Sequence, residues 1–184
     1  MAAVTGWNAF WLSWLARPKG DRNLFRLIRQ RKPRKMMLLG LGNLTRAVRM
    51  ISLAQRYQQA DYIHFAGIDR FDTRPIGGPR LSLKDAHVRL RATRSLINLI
   101  PGQPRETLMR AANALYGIEL IVVSADQDAE SMAQSWFYLQ RVLAPGAAVL
   151  QEEIANDQPL LRMLSHDELT RLAAASAPQR RRAA

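Results

Sequence analysis

Residues 35–50, KMMLLGLGNLTRAVRM, pass from an apolar run through Gly-Leu-Gly into a segment whose apolar residues have helical spacing. The run predicts a short buried strand at Met36–Leu39. Apolar residues at positions 44, 47, 48 and 51 predict a helix over Leu44–Tyr57. A strand, a glycine turn and a helix in this order form the opening of a βαβ unit.

The alternation of short apolar runs with helical stretches continues along the chain, which predicts an α/β fold with a parallel sheet. Four further strands are expected at Tyr62–Ile68, Leu96–Ile100, Ile118–Ser124 and Ala147–Gln151. Further helices are expected at Ser82–Ala92, Pro104–Leu115 and Ala129–Leu143, and a last one follows the capping box Ser165–Glu168. This pattern divides the chain into a helical, basic N-terminal extension (1–35), a Rossmann-like domain (36–153) and a C-terminal helix with a basic tail (154–184).

The composition favours a globular protein with a core. A chain of 184 residues suffices for one domain, and 48% hydrophobic with 23% charged residues argues against a disordered protein. Cysteine is absent, which excludes disulfides and thiolate metal sites, and the cytoplasm is the expected location.

Residues 1–16 carry no charged side chain. The segment is too short to span a bilayer and lacks the basic start of a secretory signal, so no transmembrane segment is expected. Its apolar residues share one helical face, which is expected to pack on its own domain, with a lid or an interfacial anchor as alternatives. These residues are Trp7, Phe10, Trp11, Trp14 and Leu15.

The net charge of +12 is concentrated near the two ends of the chain. Residues 1–35 hold nine Lys or Arg and one Asp, residues 180–182 add three Arg, and residues 36–179 hold 15 basic against 14 acidic residues. A phosphate-binding groove built into the fold is expected to leave excess positive charge in the body. The distribution favours a solvated linker and tail, with nucleic-acid binding through these basic arms as the alternative.

Residues 138–153, YLQRVLAPGAAVLQEE, resemble the helix, Pro-Gly turn and fifth strand of class I S-adenosylmethionine (SAM)-dependent methyltransferases. The glycine turn after the first strand and Asp69 at the end of the second occupy matching places. The resemblance covers about residues 22–153 and implies a doubly wound, mainly parallel, five-stranded sheet of order 3-2-1-4-5, preceded by two helices. As activity it implies methyl transfer from SAM to an unidentified small-molecule or macromolecular acceptor.

In an open parallel sheet, ligands bind beyond the carboxyl ends of the strands. The resemblance implies that backbone at Gly40 and Gly42 approaches the cofactor closely, and that Asp69, 29 residues after Gly40, accepts both ribose hydroxyl protons. The Asp69 carboxylate is then expected to be partly solvated and without a buried partner in the free protein. The competing interpretation makes Asp69 a structural cap for the loop of residues 70–80.

The other implied positions follow the third and fourth strands. Gln103 would lie near the adenine, and Ser124, Asp126 and Asp128 would face the region where the methyl group is delivered. No metal is expected, because Asp126 and Asp128 lack a third ligand, and Asp128 together with Glu130 suits the N-terminus of the next helix. No catalytic residue is assigned. The implied cofactor-binding residues are Gly40, Gly42, Asn43, Asp69, Arg70, Gln103, Ser124 and Asp126.

The chain departs from the family pattern at two positions of the first unit. The family usually has an acid where this chain has Leu38 and a third glycine where it has Leu44, which leaves open a non-catalytic interaction module with lost or weakened cofactor binding. Only about 30 residues follow the fifth strand, so a truncated sheet without further strands is expected. Thr45 breaks the G-x-G-x-x-G pattern of a nicotinamide or flavin site, and P-loop and nucleophile-elbow motifs are absent.

Overall fold

The computed structural model describes residues 20–58, 62–74, 80–156 and 158–178, which build one sheet between two layers of helices. The strands are β1 (Lys35–Leu39), β2 (His64–Asp69), β3 (Leu96–Pro101), β4 (Ile118–Val123), β5 (Leu143–Ala155) and β6 (Gln158–Met163). Their order is β3-β2-β1-β4-β5-β6, in which β1 to β5 are parallel and β6 runs antiparallel to β5.

The order of the first five strands agrees with the expectation, but the expectation of a sheet that stops at five strands is wrong. β5 continues to Ala155, four residues past its predicted end at Gln151, and Ala155 pairs with Gln158 on β6. Asn156, with a φ of +51°, turns the chain between them. The polar residues Glu152 and Glu153 gave this part of β5 the composition of a loop, although each pairs with a residue of β6.

Seven α-helices are described: α1 (Asp21–Arg31), α2 (Thr45–Tyr57), α3 (Leu83–Arg91), α4 (Pro104–Ala111), α5 (Ala129–Ala133), α6 (Trp136–Val142) and α7 (His166–Ala175). A 3-10 turn, Phe71–Thr73, follows β2. Two predicted helix starts are confirmed, since Ser82 Oγ accepts the Asp85 amide and Ser165 forms a capping box with Glu168.

Two predicted helices are shorter than expected. The helix predicted over Ala129–Leu143 breaks into α5 and α6 at Ser135, whose fully buried hydroxyl donates to the carbonyl of Ser131. Such back-bonding to the preceding turn bends helices. The helix predicted to reach Leu115 ends at Ala111, and the turns that follow lead to Gly117, whose φ is +88°.

The sheet buries an apolar layer on each face because successive strand residues alternate sides. Met36 and Leu38 of β1 pack with α1, α2 and α3, whereas Met37 and Leu39 pack with α4, α6 and α7. Helix α1 shares the first layer with Leu161 of β6, so the described flanking segments pack on the central sheet.

The predicted aromatic stripe from Trp7 to Leu15 and the basic tail at 180–182 lie outside the described residues. Among the helices that the structure describes, none is both long and apolar enough to cross a bilayer.

Candidate functional site

The carboxyl ends of β1 and β4 meet at the point where the chain connections diverge to opposite sides of the sheet. This topological switch point is where open α/β sheets form their ligand crevice. The Gly40 amide donates to the carbonyl of Ile68 at 2.9 Å, and the Ser124 amide donates to the carbonyl of Leu39 at 2.9 Å. The first bond joins the turn after β1 to β2, and the second holds the start of the loop after β4 beside β1.

Gly40 is enclosed by the loop that follows β4. Its φ is +83°, and a Cβ added here would collide with the side chains of Asp126 and Gln127. Ser124 Oγ donates to the Gly40 carbonyl at 2.9 Å. The structure thus brings together the predicted residues Gly40, Ser124 and Asp126, and the close approach that requires glycine is made by the chain's own side chains.

Gly42 has the opposite surroundings. Its φ is +53°, and no atom of the described residues lies within 4 Å of a Cβ added there, so within this part of the chain the backbone faces open space. The exposed Asn43 accepts the Thr45 amide on Oδ1 at 3.0 Å, which satisfies one of the free N–H groups at the start of α2. Leu44 is fully buried and has a φ of +69°, so the position where the family has glycine still has a left-handed backbone.

Asp69 ends β2 as predicted, but its carboxylate is neither solvated nor free. The residue is 5% exposed, and Arg74 donates to Oδ1 through Nε at 2.7 Å and to Oδ2 through Nη2 at 2.6 Å. The backbone amides of Leu41 and Phe71 donate to the same two oxygens at 2.6 and 2.9 Å. The expectation of a partly solvated side chain without a buried partner is therefore wrong, and Asp69 caps the loop after β2.

Burial and hydrogen bonding shift the pKa of Asp69 in opposite directions. Burial alone would raise it, but the hydrogen bonds from Arg74 and from the amides of Leu41 and Phe71 outweigh burial and hold the pKa below its ordinary value. Phe71 adopts a φ of +47° in this arrangement, which is a strained conformation for a bulky residue. Arg74 also donates to the carbonyl of Gly42 at 2.9 Å, so one guanidinium connects the loops after β1 and β2.

A second buried ion network lies at the carboxyl ends of β4 and β5. Arg46 of α2 donates to Asp21 Oδ1 at 2.9 Å, to Ser124 Oγ at 3.3 Å and to Glu152 Oε1. Glu152 also accepts the Ala125 amide at 3.1 Å. The network joins the first residue of α1 to the carboxyl ends of β4 and β5.

The two acids of this network differ in pKa although both bind Arg46. Burial raises the pKa of Asp21 by more than Arg46 lowers it. Burial also opposes ionisation of Glu152, but the hydrogen bonds from Arg46 and from the Ala125 amide hold its pKa below the ordinary value. Sequence reasoning missed the network because Asp21, Arg46 and Glu152 are far apart in the chain and belong to no motif.

The loop after β3 holds one further predicted residue, Gln103. Gln103 is exposed, and its side chain does not cap α4. Beside it, Thr107 is fully buried, and its Oγ1 has no hydrogen-bond partner within the described part of the chain. A Cβ added at Gly102, whose φ is +134°, would lie 2.8 Å from that oxygen. Thr107 is thus a buried polar group beside the predicted adenine position, and it carried no sequence signal.

Two further predictions concern Arg70, which follows Asp69, and Asp128, which lies in the loop after β4. Arg70 is half-buried, and its carbonyl accepts the Thr73 amide at 3.0 Å, while Arg74 rather than Arg70 binds Asp69. Asp128 accepts the Ser131 amide at 2.7 Å and caps α5, which confirms its interpretation as a helix N-terminus. Across the described residues, no group of three or more His, Cys, Asp or Glu side chains could hold a metal ion.

Comparison of the sequence with protein-family models and with curated proteins finds no match. Comparison with solved structures finds methyltransferases. The tomaymycin-synthesis O-methyltransferase of Streptomyces achromogenes, solved with SAM, aligns with a TM-score of 0.52 and 16% identity over 76% of this chain and 57% of its own length. This chain therefore spans less than two thirds of that enzyme.

Two other neighbours align over more of their own length. The O-methyltransferase of Bacillus cereus, solved with S-adenosylhomocysteine (SAH), has a TM-score of 0.53 and 11% identity over 88% of this chain and 68% of its own. The TDP-rhamnose 3'-O-methyltransferase of calicheamicin biosynthesis has a TM-score of 0.54 and 18% identity over 82% of this chain and 77% of its own. The fold of this chain is thus class I methyltransferase-like, as the resemblance implied.

Proposed function

We propose that this protein binds SAM at the carboxyl edge of its sheet and catalyses methyl transfer to an acceptor that docks beside the ends of β4 and β5. One observation carries the proposal: the Leu41 amide donates to Asp69 at 2.6 Å, which couples the glycine turn of β1 to the acid that ends β2. Beside that bond, the backbone of Gly42 faces open space. Neighbours of the same fold were solved with SAM or SAH, which supports the same cofactor here.

The residues present suit such a ligand on three counts. Gly42 leaves room above the turn, Asp69 offers a carboxylate at the end of β2, and Thr107 has a buried hydroxyl that lacks a partner among the described residues. A buried hydroxyl without a hydrogen bond is costly, so a ligand or water that binds Thr107 Oγ1 is favoured.

Asp69 meets this role only after Arg74 moves. A carboxylate has about four lone-pair sites, and the four observed donors, Arg74 Nε and Nη2 with the amides of Leu41 and Phe71, use all of them. We infer that ribose binding exchanges the two Arg74 bonds for two hydroxyl bonds. The apparent affinity for SAM is then the intrinsic affinity multiplied by the fraction of molecules in which Arg74 has left Asp69.

Under this proposal, the residues of the chain have distinct roles in binding the cofactor and the acceptor. Bound SAM supplies an electrophilic methyl group on a sulfonium, and transfer by in-line displacement depends mainly on alignment and on exclusion of water. Asp69 and the backbone at Gly42 hold the nucleoside, and Gln103 lies on the adenine side. Ser124 and Asp126 border the acceptor side.

The test uses two glycines that match in backbone and surroundings. Gly42 and Gly146 both have a positive φ, and neither has an atom of the described residues within 4 Å of an added Cβ, but of the two Gly42 lies at the crevice. Asn tolerates this backbone, so Gly42→Asn should fold and fill the space above the turn. We expect calorimetric titration to show SAM and SAH binding weakened at least about tenfold in Gly42→Asn, a loss of about 1.4 kcal/mol, and unchanged in Gly146→Asn.

Two outcomes would contradict the proposal. Equal affinity in the Gly42→Asn and Gly146→Asn variants would remove the cofactor from the glycine turn. Absence of binding to the unaltered protein at millimolar SAM or SAH would support the non-catalytic interaction module instead.

A further inference from the structure

The connections that lead into the parallel strands form a second edge, which we call the amino edge (residues 31–35, 62–64, 91–96 and 112–118). The described residues of these segments include no Asp or Glu; Asp61, which precedes the second segment in the sequence, lies outside the described residues. Glu119, just beyond them, accepts the backbone amide of Arg34 at 2.7 Å. Within the described part of the chain, Lys35, Arg91 and Arg94 form no ion pair with a carboxylate. The basic residues of the amino edge are Arg31, Lys32, Arg34, Lys35, His64, Arg91 and Arg94.

A cavity of about 530 Å³ opens at this edge between the first residues of β2 and β3 and the turn before β4. Its polar lining comes from Lys35, His64, Arg91, Ser95, Asn98 and Tyr116. It lies at the opposite end of the strands from the crevice that contains Gly42 and Asp69, so it is separate from the proposed methyl-transfer site.

Within the described part of the chain, the cavity is open because α4, the helix that leads from β3 towards β4, does not extend over it. Helix α4 ends at Ala111 and packs on β2, α5 and α6. Leu96, which pairs with His64 across the sheet, is consequently 49% exposed, and Tyr116 is 63% exposed. Tyr62, two residues before His64, is 58% exposed at the same edge.

We propose that the amino edge binds single-stranded nucleic acid, with one nucleotide seated in the cavity. Lys35 and Arg91 supply cations for phosphate, and Tyr116 supplies an aromatic face on which a base can stack. The amide of Asn98 and the hydroxyl of Ser95 can hydrogen-bond a base edge. A duplex keeps its bases stacked inside the helix, so an unpaired strand is the form of nucleic acid that can insert a base here.

The test measures fluorescence anisotropy of a labelled oligouridylate of about 10 nucleotides, a length typical of single-strand-binding sites, with the full chain at several salt concentrations. We expect the logarithm of the association constant to fall linearly with the logarithm of salt concentration. Lys35→Gln and Arg91→Gln should each make that slope shallower by about 0.7, the value for one phosphate contact on a single strand. Tyr116→Ala should weaken binding about fivefold or more, the loss expected for one stacked base.

Arg105→Gln is the matched control, because it removes one exposed charge at the start of α4, on the opposite edge. It should leave the slope unchanged. The proposal is overturned if Lys35→Gln and Arg91→Gln behave like Arg105→Gln while replacement of Arg180, Arg181 and Arg182 by Gln abolishes binding, since the terminal arm would then carry it. Equally tight binding of a duplex or of polyglutamate would also overturn it. SAM titration of the same variants shows whether they also change cofactor binding. A failure of this proposal can then be distinguished from a failure of the proposed methyl transfer.

Discussion

The two edges of the sheet use charge in opposite ways. At the carboxyl edge, Asp69 is paired with Arg74, and Asp21 and Glu152 share Arg46, all with side chains at most 17% exposed. At the amino edge, Lys35 and Arg91 border an open cavity and, within the described residues, meet no carboxylate. At the first edge these charged side chains pair with one another, whereas the cations of the second edge are available to an anion.

This separation follows from the polarity of the fold. Helices that connect parallel strands run antiparallel to them, so helix N-termini lie at the carboxyl edge and helix C-termini at the amino edge. Acids are favourable at N-termini and bases at C-termini, as Asp128 at the start of α5 and Arg91 at the end of α3 illustrate. The charged residues of the described chain are therefore divided between two edges of different character.

The largest expected effect is on the free energy of unfolding, and it concerns the ion pair of Asp69 at the carboxyl edge. Asp69→Ala removes a buried acceptor and leaves the Arg74 guanidinium and the amides of Leu41 and Phe71 without it. Removing one member of a buried pair costs about 3 to 5 kcal/mol, and we expect a loss of that size in the free energy of unfolding from urea titration.

Asp72→Ala is the control for that variant. Asp72 is exposed in the same loop and, within the described residues, accepts the Leu83 amide at 3.2 Å. Its loss should cost no more than about 1 kcal/mol. Equal stability of Asp69→Ala and the unaltered protein would mean that the carboxylate is solvated after all.

The pH dependence of stability offers a second measurement on the same side chain. The folded-state pKa of Asp69 lies below its ordinary value, so its contribution is complete above an unfolded pKa of about 3.9 and is lost as the pH falls through the folded value. The difference in unfolding free energy between the unaltered protein and Asp69→Asn should therefore narrow on acidification below about pH 4. A difference that is constant between neutral pH and about pH 3 would contradict the ion pair. The raised pKa of Asp21 acts in the opposite direction but is common to both proteins.

The sequence predicted those parts of the molecule that depend on local patterns. Alternating strands and helices, the caps at Ser82 and Ser165, and the position of Asp69 at the end of β2 are all confirmed. The closure of the site depends on contacts between distant residues, such as Arg46 with Glu152, and on the conformation that brings Arg74 back to Asp69. Neither has a periodicity or a motif, so neither could be predicted.

Leu44 tests how the carboxyl edge tolerates the loss of the third glycine. A left-handed φ disfavours any residue with a Cβ, whereas full burial favours leucine. Both Leu44→Ala and Leu44→Gly lose the buried side chain, but only Gly relieves the backbone. We expect Leu44→Gly to be more stable than Leu44→Ala by about 1 kcal/mol in urea unfolding, the reverse of their order inside a helix. Greater stability of the Ala variant would show that the strain at this position is negligible.

The smallest expected effect is at the amino edge, where removal of one positive charge should change the free energy of unfolding very little. Arg91 ends α3 and is exposed, and within the described residues it forms no ion pair, so Arg91→Gln loses only a favourable interaction with the helix dipole. That interaction contributes about 0.3 to 1 kcal/mol at an exposed helix end, and reduced repulsion among neighbouring cations offsets part of it. Urea unfolding should therefore place Arg91→Gln within about 0.5 kcal/mol of the unaltered protein, and added salt should shrink the difference further. A loss comparable to that of Asp69→Ala would mean that Arg91 is held by a structural contact. The two edges would then differ in position but not in their use of charge.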